Sequence, residues 1–197
     1  MPDQYAALSC VRLNAGIACQ TPDGLAPIVH AGDPALSVMT DFAEVTPLTI
    51  EPGMRLGTAM RKMKAAGMRL LLVPDQDDNI VGIITACDIQ GERPVRLSED
   101  MRIPRDDIHV DMLMTPLDKV DAIDMNTVRT ARVGDIINTL RDQECQHLLV
   151  VDSDRITGDQ TIRGVFCMAN ISRLIGRDVS NPEHVAQSFA EVLHQLR

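Results

Sequence analysis

Two stretches of the chain share one pattern and decide its fold: residues 56–75 read LGTAMRKMKAAGMRLLLVPD and residues 133–152 read VGDIINTLRDQECQHLLVVD. An offset of 77 residues aligns them without gaps. Each begins with apolar residues at positions i, i+3, i+4 and i+7, which predicts a helix with one apolar face. Each continues with an aliphatic run, 70–73 or 148–151, whose lack of polar alternation predicts a strand covered on both faces. The chain therefore contains an internal repeat.

The segments around these stretches repeat as well. A polar turn and a β-branched return segment follow each aliphatic run, at 80–84 and 162–166, and predict a hairpin in each copy. Gly82 and Gly164 occupy equal places in the return strands, where a glycine often marks the close approach of another group to the backbone. A Met-Thr pair and a short strand, 47–50 or 121–124, precede each helix. We therefore expect each copy to contain the same ordered set of elements.

The tandem order, the Met-Thr pairs, the aliphatic-Val-x-Asp strand ends and the segment GIITACD at 82–88 resemble a pair of CBS (cystathionine-β-synthase) domains, a Bateman module. The resemblance implies an α/β fold of two tandem β-α-β-β-α repeats, packed with pseudo-two-fold symmetry around two clefts. It covers about residues 36–178. Modules of this family commonly bind adenosyl compounds, dimerise and act as regulatory units. We expect the chain to divide into an extension (1–35), a first repeat (36–90), a connection (91–109), a second repeat (110–178) and a terminal helix (179–197).

The first cleft is expected to bind its ligand through Thr85 and Asp88. A carboxylate can accept hydrogen bonds from both vicinal hydroxyls of a ribose, and N–H groups at a helix start can face a phosphate. The alternative is a capping box, because Thr-x-x-Asp at a helix start also closes free backbone N–H groups. By the resemblance, Ile50, Met68 and Leu70 belong to the walls around the base, whereas an ordinary core role is the alternative for each.

The second cleft departs from this pattern. Cys167 and Asn170 stand at the places of the threonine and the aspartate, and His147 precedes the second strand. A neutral amide cannot reproduce the charged bidentate contact, and a thiol is a weak donor. His147 could contact a ligand or a metal, although a single histidine at a strand edge usually does neither. We expect this cleft to be degraded or empty.

The residues before the two key positions bear on phosphate binding. The family often places a basic residue there, and this chain has Cys87 and Ala169. The resemblance therefore favours AMP, adenosine or S-adenosylmethionine over ATP. Arg173 or an arginine of the connection could compensate for the missing charge.

Composition excludes several classes of function. The 197 residues carry a net charge of −9 with a pI near 4.9, which disfavours binding to nucleic acid or to an anionic membrane surface. Only four residues are aromatic, too few for a stacking platform. The five cysteines are odd in number and contain no C-x-x-C pair, so neither a disulfide framework nor a zinc ribbon is expected. A metal site could still assemble in space, but the spacing of the cysteines and histidines does not indicate one, and we expect no metal and no required cofactor. Without a leader or a spanning segment, a cytoplasmic location is expected.

The resemblance implies a regulatory or sensor module, and an enzyme is not expected because no catalytic signature is visible in the sequence. The module would bind one adenosyl ligand per chain and signal to a partner protein of unknown identity. The apolar stripes of the two repeat helices and of the terminal helix predict a homodimer. The alternative is a ligand-free pair of CBS domains that serves only as a dimerisation scaffold.

Overall fold

The computed structural model describes residues 28–154 and 157–176. Both copies contain the predicted helix and hairpin, so the repeat is confirmed. The predicted terminal helix at 179–197 and residues 1–27 of the extension lie outside the described residues. The strands and helices are β1 Thr40–Asp41, α1 Leu56–Ala66, β2 Leu70–Pro74, β3 Ile80–Thr85, α2 Ala86–Gln90, α3 Arg93–Met101, α4 Val110–Leu113, β4 Thr115–Pro116, β5 Ala122–Asp124, α5 Met125–Val128, α6 Val133–Asp142, β6 His147–Ser153, β7 Gln160–Cys167 and α7 Met168–Ile175.

The repeat helices α1 and α6 bury the apolar faces that their spacing predicts. Their buried residues are Leu56, Ala59 and Met63 in α1 and Val133, Ile136, Ile137 and Leu140 in α6. Helix α1 ends at Gly67, whose positive φ of 64° lets its N–H donate to the carbonyls of Lys64 and Met63. Both stripes pack against cores of their own chain. They are therefore not available to form the predicted dimer interface, and a homodimer would need other surfaces.

The strands form two sheets, one in the order β2-β3-β4 and the other in the order β1-β7-β6-β5. The hairpins β2/β3 and β6/β7 are antiparallel, and β5 runs parallel to β6. The strand predicted at 47–50 is reduced to one parallel bridge between Thr49 and Leu72. Pro47 and Pro52 flank this bridge, and neither has an N–H to extend the ladder.

The two repeats exchange their first strands. Strand β1 precedes the first helix in sequence but pairs with β7, with Asp41 opposite Gly164. Strand β4 precedes α6, the helix of the second repeat, but pairs with β3 of the first repeat, with Pro116 opposite Gly82. Each repeat thus contributes the edge strand of the other repeat's sheet.

This exchange explains the two glycines of the return strands. A Cβ added at Gly164 would lie 2.6 Å from the carbonyl oxygen of Thr40. A Cβ added at Gly82 would lie 2.8 Å from Sδ of Met114 and 2.9 Å from the carbonyl oxygen of Thr115. The predicted close approach to the backbone is therefore confirmed at both positions, and the approaching group is the exchanged strand.

The cores follow the exchange and not the order of the repeats. The first core joins α1, β2 and β3 to Ile108, Val110 and Leu113, which follow the first repeat in sequence. The second core joins α5, α6 and α7 to residues ahead of the first helix, among them Ala35 and Val38. A third cluster lies between the sheets and contains Leu70, Leu72, Ile83, Leu149 and Val165. Strand β2 is thus buried on both faces, as predicted, and the α/β fold is confirmed.

One of the two exchanged junctions carries an ion pair. Arg163 of β7 donates from Nε and Nη2 to the two carboxylate oxygens of Asp41, at 2.7 and 2.8 Å. This contact lowers the pKa of Asp41 to about 2, while partial burial acts in the opposite direction. At the other junction the residue aligned with Arg163 is Val81, so the two junctions differ in chemistry.

Candidate functional site

The predicted ligand residues of the first repeat lie where β3 passes into α2. Thr85 is the N-cap of α2, and its Oγ1 accepts a hydrogen bond of 3.2 Å from the backbone N–H of Asp88. In return, Oδ2 of Asp88 accepts from the N–H and the hydroxyl of Thr85, at 2.9 and 2.7 Å. The capping box that the sequence left as an alternative is therefore present.

The second carboxylate oxygen of Asp88 is engaged by the connection between the repeats. Arg93, the first residue of α3, donates from Nη1 to Oδ1 of Asp88 at 2.5 Å and from Nη2 to the carbonyl oxygen of Leu113 at 2.8 Å. The side chain of Asp88 is 15 % exposed, against 51 % for Arg93. An arginine of the connection therefore lies at the first site, where the sequence has no basic residue before the aspartate.

The predicted wall residues differ in their surroundings. Ile50 is buried in the first core, and Leu70 is buried between the sheets, opposite Thr85 in the β2/β3 ladder. Met68 is half-buried, and its N–H donates to the carbonyl of Met63. Strand register therefore brings Leu70 next to the capping box. Ile50 and Leu70 also belong to packed hydrophobic clusters, which is the core role that the sequence left as the alternative.

The second site has the same backbone layout with other side chains. Cys167 is the N-cap of α7, but its side chain makes no capping hydrogen bond to the residues of α7, Met168–Ile175. Its Sγ lies 3.5 Å from Nε2 of His147, the residue opposite it in the β6/β7 ladder. Asn170 accepts through Oδ1 from Nη2 of Arg173 at 2.8 Å. Cys167 and His147 are therefore in contact at one strand end, and Asn170 lies in the first turn of α7, next to Arg173.

His147 connects the two sites electrostatically. Burial lowers the pKa of His147 to about 4, the positive charge of Arg69 acts in the same direction, and the negative charge of Asp88 opposes them. The imidazole is therefore neutral at pH 7. Because charges of the first repeat act on a side chain of the second, the two sites lie near each other.

The sequence analysis assigns Cys167 and His147 to the same cleft, but it does not predict their direct contact. No local motif joins residues 147 and 167, but both positions align with a pair of the first repeat, 70 and 85, that the hairpin places opposite each other. Strand register was thus the usable signal. Within residues 28–154 and 157–176, no group of three or more His, Cys, Asp or Glu side chains could hold a metal ion.

Comparisons with known proteins find a family match for one part of the chain. Residues 36–93 match the family model described as the CBS domain. No curated protein matches the chain. Among solved structures, a conserved protein from Pyrococcus horikoshii is 21% identical with a TM-score of 0.51, and the alignment covers 74% of this chain and 93% of that one.

Two further similar structures are complexes with adenosyl compounds. CBSX2 in complex with AMP is 19% identical, with a TM-score of 0.47 and coverage of 72% of this chain and 95% of that one. The CBS domain pair of protein MJ0100, in complex with methylthioadenosine and S-adenosylmethionine, is 16% identical, with a TM-score of 0.46 and coverage of 76% and 98%. Likeness at these identities concerns the fold.

The matched segment contains Thr85 and Asp88 and ends at Arg93, so it includes the whole of the first site. A second copy of the same helix and hairpin follows it. The described part of the chain has no helix that is both long and apolar enough to cross a membrane. Residues 36–93 therefore match a CBS domain, and a second repeat with the same helix and hairpin packs against this segment through exchanged strands.

Proposed function

We propose that this protein is a regulatory module that binds an adenosyl ligand in the cleft with Thr85 and Asp88 and signals to a partner protein. The observation that carries the proposal is the carboxylate of Asp88, which is half-buried at the β3/α2 junction of the family-matched segment. A carboxylate can accept from two vicinal hydroxyls, which suits a ribose. AMP and S-adenosylmethionine, the compounds bound by CBSX2 and MJ0100, are natural first probes.

Ligand binding would compete with an internal contact. Oδ1 of Asp88 is occupied by Arg93, whose second nitrogen holds the carbonyl of Leu113 on α4. A ribose that takes Oδ1 releases Arg93 from Asp88, and the freed guanidinium can meet a phosphate. Because Leu113 belongs to the exchanged segment of the second repeat, the ligand would bias the arrangement of the two repeats by its different affinity for two states.

The charge pattern favours small ligands. One arginine at the site suits the single phosphate of AMP. We also expect adenosine and S-adenosylmethionine to bind more tightly than ATP. No cofactor is required, and the role is regulatory and not catalytic. The second cleft, with Cys167, Asn170 and His147, is proposed to bind such ligands weakly. We expect about one ligand per chain.

Calorimetric titration with AMP, adenosine and S-adenosylmethionine tests the proposal. Asp88→Asn installs the residue of the second repeat, and we expect affinity for the bound probe to fall about tenfold, because hydrogen bonds to charged groups contribute about 1.5–3 kcal/mol. The control Asp100→Asn makes the same change of charge on an exposed position of α3 and should leave the affinity unchanged. Equal affinity in wild type and a folded Asp88→Asn variant would show that Asp88 is only a cap.

A ligand-free scaffold is the second candidate, and one observation favours it. Thr85 and Arg93 already satisfy both oxygens of Asp88 within the chain. In that case none of the three probes would raise the unfolding temperature, whereas a ligand at about 100 times its Kd stabilises the folded state by about 2.7 kcal/mol.

The assembly and location are also proposals. We propose a homodimer in the cytoplasm that binds neither nucleic acid nor membranes, and light scattering at micromolar concentration tests the dimer. Its contacts must use side chains other than the helix stripes. The large apolar side chains exposed in the described residues are Ile28, Leu36, Val45, Met54, Val95 and Met101.

A further inference from the structure

The two exchanged strands are held to their partner sheets in different ways. Strand β1 is held to β7 by the ion pair of Asp41 with Arg163, with hydrogen bonds of 2.7 and 2.8 Å. At the β3/β4 junction, Val81 stands at the place of Arg163. There the side chain of Arg93 reaches the segment of β4 instead, and its Nη2 donates to the carbonyl oxygen of Leu113 at 2.8 Å.

The contact of Arg93 with this segment is shared with the first site. The same guanidinium donates through Nη1 to Oδ1 of Asp88, the carboxylate proposed to bind a ribose. Leu113 lies two residues ahead of β4, and its side chain is buried in the first core. One arginine side chain thus connects the carboxylate of the site to the start of the exchanged strand.

The second site is arranged differently. Arg173 donates to Asn170, three residues earlier in the same helix α7, so this contact does not extend to β1. The ion pair that holds β1 is made by Asp41 and Arg163, which are not residues of the second site. Only the β3/β4 junction therefore shares a side-chain contact with the carboxylate of a candidate ligand site among the described residues.

We propose that Arg93 is a releasable clamp on β4 and that a ligand at the first site opens it. This inference rests on the proposed function and names the element that would respond to the ligand. A ribose hydroxyl that takes Oδ1 of Asp88 removes one of the two acceptors that hold the guanidinium. Arg93 is 51 % exposed, so its freed side chain can turn into water, which weakens its contact with Leu113. The β3/β4 junction then loosens, while the β1/β7 junction stays as it is.

Hydrogen exchange of the full chain without ligand, followed by mass spectrometry, tests the clamp. In Arg93→Gln we expect the amides of residues 113–117 to exchange about tenfold faster than in wild type, while those of residues 40–42 keep their rate. Arg163→Gln should do the reverse, since its carbonyl and side chain both hold β1. Wild-type exchange at 113–117 in a folded Arg93→Gln protein, or an equal response of both junctions, would overturn the proposal.

Two further variants identify the cause. Arg96→Gln is the matched control, because Arg96 follows Arg93 by three residues on α3 and pairs with Glu92 in an exposed contact. It should leave both junctions at their wild-type rates, and an effect as large as that of Arg93→Gln would mean that lost charge on α3 is the cause and not the clamp. Arg93→Lys keeps the charge, but a compact ammonium group cannot span both acceptors. We expect faster exchange at 113–117 in this variant too, and circular dichroism identifies the folded proteins.

Adenosine connects the clamp to the first site, since it has a ribose but no phosphate that could engage Arg93. Saturating adenosine should raise exchange at 113–117 in wild type and cause no further increase in Arg93→Gln. Its affinity should be about fivefold higher for Arg93→Gln, because the ribose no longer competes with the arginine. Equal affinity for the two proteins would overturn the coupling of clamp and site. If neither protein binds adenosine, the coupling fails together with the proposed function, whereas exchange in the unliganded proteins still decides whether Arg93 holds β4.

Discussion

The two sites of this molecule show how one backbone arrangement can carry two chemistries. In both repeats a strand end faces an N-cap residue across a hairpin, and an arginine contacts the side chain three residues into the helix. The first site places Thr85 and Asp88 there, and the second places Cys167 and Asn170. Only the first set forms a capping box and presents a carboxylate. The fold therefore determines the backbone of each strand-to-helix junction, and the side chains at a few positions determine what that junction can bind.

Substitution of the glycines that face the exchanged strands should give the largest difference in stability between the two repeats. Gly164→Ala would place a methyl group 2.6 Å from a backbone oxygen, whereas Gly82→Ala would meet Met114 Sδ at 2.8 Å and a backbone oxygen at 2.9 Å. Because the methionine can shift more easily than backbone, we expect the free energy of unfolding to fall by about 3 kcal/mol for Gly164→Ala and about 2 kcal/mol for Gly82→Ala. Urea denaturation measures both values.

Gly53→Ala is the control for these substitutions. No described atom lies within 4 Å of a Cβ added at Gly53. Its free energy of unfolding should stay within about 0.5 kcal/mol of wild type. A loss for Gly82→Ala that equals or exceeds the loss for Gly164→Ala would contradict the difference between the junctions.

The pH dependence of stability separates the second repeat from the first. The pKa of His147 is about 4 in the folded protein, against 6.5 for an ordinary histidine. As the pH falls below 6.5, the unfolded chain takes up a proton that the folded chain does not, so stability declines until about pH 4. His147→Leu, the residue of the first repeat, should flatten this part of the curve in thermal unfolding.

Asp41→Asn is the matched control for this window. The pKa of Asp41 is lowered from 3.8 to about 2 by Arg163, so its contribution to stability is complete above 3.8 and is lost towards about pH 2. The variant should therefore change the curve only in that lower range. A His147→Leu protein that keeps the wild-type decline between 6.5 and about 4 would contradict the assignment.

The double change Cys167→Thr with Asn170→Asp should make the second site resemble the first. It restores a hydroxyl and a carboxylate at a junction that already has Arg173 beside Asn170. We expect calorimetry with the probe that binds wild type to change from about one ligand per chain to nearly two, with a gain at the second cleft of about tenfold or more. A folded double variant whose second cleft still binds nothing would show that other features cause the asymmetry.

The smallest expected difference concerns the caps. Thr85→Ala removes the acceptor of the Asp88 N–H and should lower the free energy of unfolding by about 1 kcal/mol. Cys167→Ala removes no capping bond, since the described contacts of Cys167 do not include one to α7, and should have a smaller effect. Chemical denaturation of the two variants compares them directly. Equal losses would mean that the capping box adds no stability.

Local patterns predicted the parts of the structure that depend on local physics. The stripe of α1, the two-sided burial of β2 and the capping box of Thr85 and Asp88 follow from spacing along a single segment. Gly82 and Gly164 even indicated a close approach without showing which group approaches. The approaching strand comes from far away in sequence, and nothing local encodes its origin.

The candidate site was predicted in the same partial way. Thr85, Asp88, Cys167 and Asn170 lie at the helix starts where the aligned repeats place them. The contact of Arg93 with Asp88 was not predicted, because it depends on where α3 begins after Gly91; the sequence suggested only that an arginine of the connection could compensate for the missing basic residue. The thiol–imidazole contact depends on hairpin register, and the low pKa of His147 depends on burial and on charges from the other repeat.

The exchanged strands also set an order for building the molecule during synthesis. The first core draws on a continuous run of chain, from Ile50 to Leu113, and its sheet is complete with β4. The second core needs Val29, Ala35 and Val38 together with residues as late as Ile171. A nascent chain can therefore close its first core early, while β1 waits for β7 to leave the ribosome. The second core thus combines residues that precede and follow the first core in sequence, and the segment that forms the first core is inserted between them.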